Sequence, residues 1–155
     1  MSRWEQGRTV VDDLIHRGEV EKVPASAEHA DAELVQARKH LASARLLLDV
    51  DPVGAYSLAY DAARKALAAV LANQGLRATS RGGHVAVYEA VKAQLDPPLG
   101  SILRPFSRMR VRRNESEYRS GEAPPVSPDE VRGDLPKAQA IIELAEKAMP
   151  HMGRY

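Results

Sequence analysis

Arg104, Arg108, Arg110, Arg112, Arg113 and Arg119 crowd into one short segment in which the only opposing charges are Glu115 and Glu117. A guanidinium stays charged at any physiological pH, and its planar fork matches the oxygens of a phosphate or a carboxylate. The chain as a whole carries a formal net charge of +1, so the remainder is slightly acidic and the molecule is not a polycation that coats nucleic acid indiscriminately. The charge is local, and so is any chemistry built on it.

On a helical wheel, Leu99, Ile102, Leu103, Phe106 and Met109 form one apolar stripe that should face a core. Extended forward, the stripe runs into Arg110, Arg113 and Glu117, with Arg113 about 20° from the direction of both Ile102 and Phe106. Asn114 and Tyr118, four residues apart, share the adjacent edge. An arginine on a core-facing stripe is costly unless it is paired or the helix end faces a cleft or a partner. Two readings follow: the helix overhangs its bundle and the charges are solvated, or the segment forms a polar site at a subunit boundary. A tyrosine titrates near 10, so Tyr118 is a poor base near neutral pH, though it can donate a hydrogen bond to phosphate or stack on a base.

The sequence contains no cysteine and five histidines. Thiolate chemistry is excluded, and a metal would have to be held by His, Asp or Glu. His16, His29, His40 and His151 show no paired ligand spacing, and no cofactor or metal is expected. His84 opens a helix, where a histidine is ordinarily a cap or surface residue; the alternative is a base that substitutes for one missing elsewhere. Arg81-Gly82-Gly83 alone is weak evidence for phosphate binding. Arg64 and Lys65 read as solvated charge on a long helix, with an addition to a basic cleft as the alternative; Tyr56 and Tyr60 read as core or interface aromatics, and Trp4 as an anchor for the N-terminal arm.

Those residues need a scaffold, and 155 residues with 44% hydrophobic content suffice for one core. No run of about 18 apolar residues occurs. Residues 1–10 carry Arg3, Glu5 and Arg8 where a signal peptide needs an apolar stretch, so a cytoplasmic location is expected. Helical patterns broken by Pro and Gly dominate, and alternating segments of strand length are hard to find. The first helix spans about Thr9 to Arg17. A second follows the cap residue Ser26, with Ala30, Leu34, Ala37, Leu41, Ala44 and Leu48 on one stripe. The third, from Pro52 to Gly75, is rich in small residues and looks central. A fourth runs from His84 to Leu95 and a fifth from about Leu99 to Tyr118. The sixth starts at Ser127-Pro128-Asp129-Glu130 and ends near Met149, with Pro136 expected to kink or delay it. The expected architecture is an all-α, up-and-down bundle of five to six helices with sequential helices antiparallel. Residues 1–24 would form an N-terminal arm with a short helix, and residues 25–155 the bundle.

The stretch Arg112-Arg113-Asn114-Glu115-Ser116-Glu117-Tyr118, late in an all-α domain of this size, resembles the signature of the HEPN (higher eukaryotes and prokaryotes nucleotide-binding) superfamily. The third helix, with Ala55-Tyr56-Ser57-Leu58-Ala59-Tyr60-Asp61-Ala62-Ala63-Arg64-Lys65-Ala66-Leu67, and the Gly82-Gly83-His84 start of the next helix are similar to the same family. The likeness covers about Ala25 to Met149. Many HEPN proteins are metal-independent ribonucleases whose motif is an arginine, four to six residues and a histidine, with a polar residue after the arginine. Arg113 and Asn114 match it, and Tyr118 stands in the place of the histidine.

The resemblance implies a homodimer in which Arg113, Asn114 and Tyr118 of each subunit meet in one cleft, with Arg108, Arg110, Arg112 and Arg119 binding RNA. It implies an RNA- or nucleotide-binding protein, a degenerate or weak metal-independent ribonuclease within a toxin-antitoxin or defence system. The alternatives are an active ribonuclease toxin and a non-catalytic protein-interaction module. Some small HEPN toxins pair with a nucleotidyltransferase antitoxin that adenylylates a tyrosine two residues beyond the motif histidine. That partner is implied here too, although the equivalent residue is Ser120.

Overall fold

The computed structural model describes residues 4–117 and 123–155, so Tyr118 and Arg119 lie outside the described residues. In chain order the elements are α1 (Arg8–His16), β1 (Val20–Lys22), α2 (Ala27–Leu47), α3 (Pro52–Gln74), β2 (Leu76–Ala78), α4 (Gly83–Leu95), the single turn α5 (Gly100–Leu103), α6 (Pro105–Glu117) and α7 (Pro128–Met152).

Three of the helix starts, those of α2, α3 and α7, are written in local chemistry. Ser26 accepts from the His29 amide to cap α2, and Asp51 does the same for the Gly54 amide ahead of α3. Ser127 and Glu130 form a reciprocal capping box at α7, with Pro128 in its first turn. α7 continues through Pro136 from that start, so this proline neither ends nor delays it. Gly75 closes α3 at φ +85°, and a Cβ there would stand 2.8 Å from the Val23 carbonyl oxygen; both the turn and the close approach require glycine.

α3 is the central element, because α2, α4, α6 and α7 all pack against it. Its alanines 55, 59, 62, 63, 66 and 69 are fully buried, as are Ala30, Ala37 and Ala44 on α2. Steps of four and three along α3, and alanines seven apart on α2 with Leu34 and Leu41 between them, give a heptad-like seam in which small side chains let the backbones approach closely. The polar contacts set the helix directions. Arg38 on α2 meets Glu146 and Arg45 meets Gln139, so α2 and α7 are antiparallel. Tyr56 meets Asp134 and Asn73 meets the Met149 carbonyl, so α3 and α7 are parallel.

The expected alternation fails between α3 and α4. Tyr60 meets His84 and Gln74 meets Gln94, so these two helices run parallel. The chain returns along β2, which pairs antiparallel with β1 in the register Val20 with Ala78, Glu21 with Arg77 and Lys22 with Leu76. This ribbon carries the start of α4 back to the middle of α3. The single long helix expected from Leu99 is also divided. A turn at Arg104 separates α5 from α6, and Pro105, which lacks an amide donor, begins α6. The N-terminal residues join the same core through Val11 and Leu14. The Trp4 indole donates to the Gln94 carbonyl at 3.1 Å.

α6 is fastened at two levels. Phe106 stacks between Tyr60 and Tyr88, with ring centroids 5.1 Å and 5.4 Å away. On its other flank, Arg108 donates to both carboxylate oxygens of Asp134 at 3.0 Å and 2.7 Å, and the buried Tyr56 hydroxyl donates to the same group at 2.7 Å. Burial works against the charged carboxylate, but hydrogen bonds from Arg108 and Tyr56 outweigh it and hold Asp134 below its ordinary value of 3.8. The stabilisation from Asp134 is thus complete above that value and is lost as pH falls through the lowered one.

Asp134→Ala leaves the Tyr56 hydroxyl buried without an acceptor, whereas Arg108, 52% exposed, recovers water. The expected loss is about 2 kcal/mol, against about 1 kcal/mol for Tyr56→Phe. Urea unfolding at neutral pH should give that order, and equal losses would contradict the shared-carboxylate geometry.

Candidate functional site

Tyr60, on the inward face of α3, is fully buried, and three groups from two other helices, α6 and α4, converge on it. The Arg113 guanidinium of α6 lies over its ring, 5.3 Å from the centroid, within cation–π range. Phe106, two turns earlier on α6, stacks on it. The His84 Nδ1 at the start of α4 lies 2.8 Å from its hydroxyl. Burial pushes Tyr60 up to about 12, with Arg113, Arg64 and Arg110 pulling the other way. The phenol therefore keeps its proton, and where it donates that proton to His84 Nδ1 the neutral ring carries its own on Nε2. His84 then presents an N–H donor, not a free lone pair.

Arg113 Nη1 donates to Asn114 Oδ1 at 3.1 Å, while its Nε is buried without a partner among the described residues. Arg64, one turn beyond Tyr60 on α3, binds Asp61 through Nε at 2.8 Å and Nη2 at 2.6 Å. His40 of α2 and Lys65 lie 3.5 Å and 3.8 Å from the same carboxylate. Burial is the largest influence on His84, followed by the charges of Arg64 and Arg113, with a smaller push from Arg110. Together they hold it below its ordinary 6.5 against the opposing pull of Asp61.

The arginine segment is therefore sorted by helix face. Arg113, Asn114 and Arg110 are gathered around Tyr60 and His84. Arg108 and Arg112 point the other way into carboxylates of α7, Arg108 to Asp134 and Arg112 to Glu130, the latter through two contacts of 2.8 Å. Arg104 is largely exposed, 3.6 Å from Asp96. Glu117 accepts a hydrogen bond from Ser57 on α3. Tyr118 and Arg119 fall outside the described residues. His84 and Arg64 join the cluster although composition alone gave them bland roles. The available signal was the spacing of Tyr60 and Arg64, four apart on one helix face.

Beside the cluster a groove of about 580 Å³ opens between α3, β2 and the starts of α2 and α4, with Arg64 and His84 among its lining residues. Among the described residues no group of three or more His, Asp or Glu side chains could hold a metal ion. None of their helices is long and apolar enough to cross a membrane.

His84 should titrate below 6.5, because the unfolded chain takes up that proton before the folded one does. For the same reason its contribution to stability is present above 6.5 and is lost as pH falls below it. Arg113→Ala removes a neighbouring cation and should move the midpoint upward. NMR titration of the imidazole protons checks both, and a midpoint at or above 6.5 in the unaltered protein contradicts this placement.

The HEPN domain family model matches residues 31–148. Searches of curated proteins and of solved structures returned no match. The matched stretch is well over half of the chain and contains Tyr60, Arg64, His84, Arg110, Arg113 and Asn114; the chain belongs to the HEPN family.

Proposed function

We propose that this protein binds RNA through Arg113, Asn114 and Arg110, with Arg64 and His84 completing the site, and that it cleaves RNA weakly if the strand is held long enough. Family membership supports RNA-related work. The observation that carries the proposal for this site is Arg113. Its neighbours Arg108 and Arg112 are spent on α7 carboxylates, whereas Arg113 has no carboxylate partner among the described residues and keeps a buried Nε without an acceptor. A phosphate oxygen is a partner for the N–H groups of this guanidinium that no carboxylate among the described residues engages.

Metal-independent cleavage requires the ribose 2′-oxygen to bond to phosphorus while the bond from phosphorus to the 5′-oxygen breaks. One group must take the 2′-hydroxyl proton and another must protonate the departing oxygen. Arg113 and Arg110 are suited to the charge that develops on the phosphoryl oxygens. The base is the weak part. Tyr118, in the position of the family's histidine, belongs to a residue type that is protonated near neutral pH. His84 has its Nδ1 occupied by the Tyr60 hydroxyl and offers Nε2–H, which donates to phosphate but does not abstract a proton. Binding should therefore outpace cleavage. A homodimer bringing two such sites to one cleft is part of the proposal, because the exposed edge of this helix then faces a second cationic edge across the RNA.

Arg113→Ala should weaken binding of a short single-stranded RNA about tenfold at physiological salt and lower the salt slope by about 0.7, one phosphate contact on a single strand. Fluorescence anisotropy over a salt series reads both, and unchanged affinity removes the site. In EDTA the unaltered protein should release 2′,3′-cyclic phosphate ends only slowly, and Tyr118→Phe should change that rate by less than about threefold. Rapid turnover abolished by Tyr118→Phe would replace this reading with an active ribonuclease. Sedimentation should give a dimer, and a monomer at micromolar concentration would remove the shared cleft.

A further inference from the structure

The groove beside the cationic cluster is built for something other than phosphate. Its floor is apolar, made by Leu71, Leu76 and Val87, with Ala68 of α3 on the wall. Its volume of about 580 Å³ is that of a small-molecule site. The charged and titratable groups among its described lining residues are Arg64, Arg77, His29 and His84, with no carboxylate. Arg64 and His84 line the groove, and His84 also meets the hydroxyl of Tyr60, whose ring carries the Arg113 guanidinium 5.3 Å from its centroid. A ligand that fills the groove and touches those side chains must be apolar and flat enough for the floor, and anionic where it leaves.

We propose that the groove receives one unstacked nucleobase of a single-stranded RNA whose adjoining phosphate lies at Arg113 and Arg110. The planar Arg64 guanidinium and His84 imidazole of the groove can stack on or donate to the base or its ribose, which is how single strands are held where a duplex is not. A paired base cannot enter, since entry removes it from its stack. The protein therefore selects single-stranded over double-stranded RNA by shape, without a sequence code from the arginines. This inference rests on the RNA reading of the Arg113 site and adds the part of the ligand that Arg113 does not touch.

The test uses the full chain and a fluorescein-labelled seven-nucleotide RNA, as intact single strand, as blunt duplex, and as a series with one abasic residue at each position. The unaltered protein should bind the single strand at least tenfold more tightly than the duplex, and one or two abasic positions should lower affinity about tenfold. Ala68→Leu narrows the groove. It should weaken binding of the intact strand by a similar factor and abolish the abasic penalty, while Arg113→Ala weakens intact and abasic strands alike. A thermal melt confirms that the Ala68→Leu protein is folded, and the abasic series on the unaltered protein stands without any variant. If no abasic position matters, or if folded Ala68→Leu binds the intact strand as before while Arg113→Ala still weakens it, the base pocket is overturned and the phosphate site survives. If Arg113→Ala changes nothing, the RNA reading itself falls.

Discussion

Tyr60 has its ring in the core and its hydroxyl at the site, and the rest of the arrangement follows from that division. The ring carries Phe106 on one side, which fixes the start of α6, and Arg113 further along the same helix, which fixes where α6 delivers its charge. The hydroxyl reaches Nδ1 at the start of α4. Two helices, α4 and α6, are thereby referred to one residue of a third. α3 itself cannot yield, because α2 and α7 close on its alanine surface without intervening bulk. Rigidity at the site is thus inherited from packing far larger than the site.

The same helix shows how a run of like charges can be divided between structure and function. Arg108 and Arg112, four residues apart, share one face and meet Asp134 and Glu130, also four apart, on α7. The matched spacing makes a two-rung ladder that resists rotation of α6 about its own axis. Each rung keeps one partner exposed, Arg108 in the first and Glu130 in the second, and as an ion pair contributes modest energy. Their value is orientation, since turning α6 by one residue would carry Arg113 off the Tyr60 ring. Arg110 and Arg113, three apart, are left on the opposite side, where their charges reach His84 and Tyr60.

Much of this was legible in residue spacing. The caps at Ser26 and Ser127 were signalled locally, as were the Pro52 start of α3 and the stripe on α2, and all lie where the sequence placed them. The inward direction of Arg113 came from its angle to Ile102 and Phe106, and the structure puts it against the core aromatic Tyr60. What was illegible depends on distant partners. Strands of three residues, Val20–Lys22 and Leu76–Ala78, are too short to show alternation, and without them α4 looks like an ordinary antiparallel neighbour of α3. His84 and Tyr60 are 24 residues apart and meet only because the ribbon returns the chain. Nothing in the local sequence distinguishes an arginine bound for an α7 carboxylate from one bound for solvent, so the helical wheel set Arg110 and Arg113 on the stripe without showing that Arg108 and Arg112 meet Asp134 and Glu130.

Gathering Arg64, Arg110 and Arg113 near a half-buried histidine has a cost that the fold does not recover in the free protein. Like charges repel, and Arg113 has an Nε removed from water with no acceptor among the described residues. A cation–π contact returns about 0.5–2 kcal/mol, and Asp61 neutralises one of the three guanidinium groups through Arg64. Neither provides an oxygen for Arg113. The remaining deficit is of the kind that an anion removes on arrival, because donors already oriented and partly desolvated need no reorganisation to bind it. A fold selected for stability alone could have placed a glutamate on α3 opposite Arg113, as α7 does opposite Arg112. In its place stands Tyr60, which supports a cation without neutralising it.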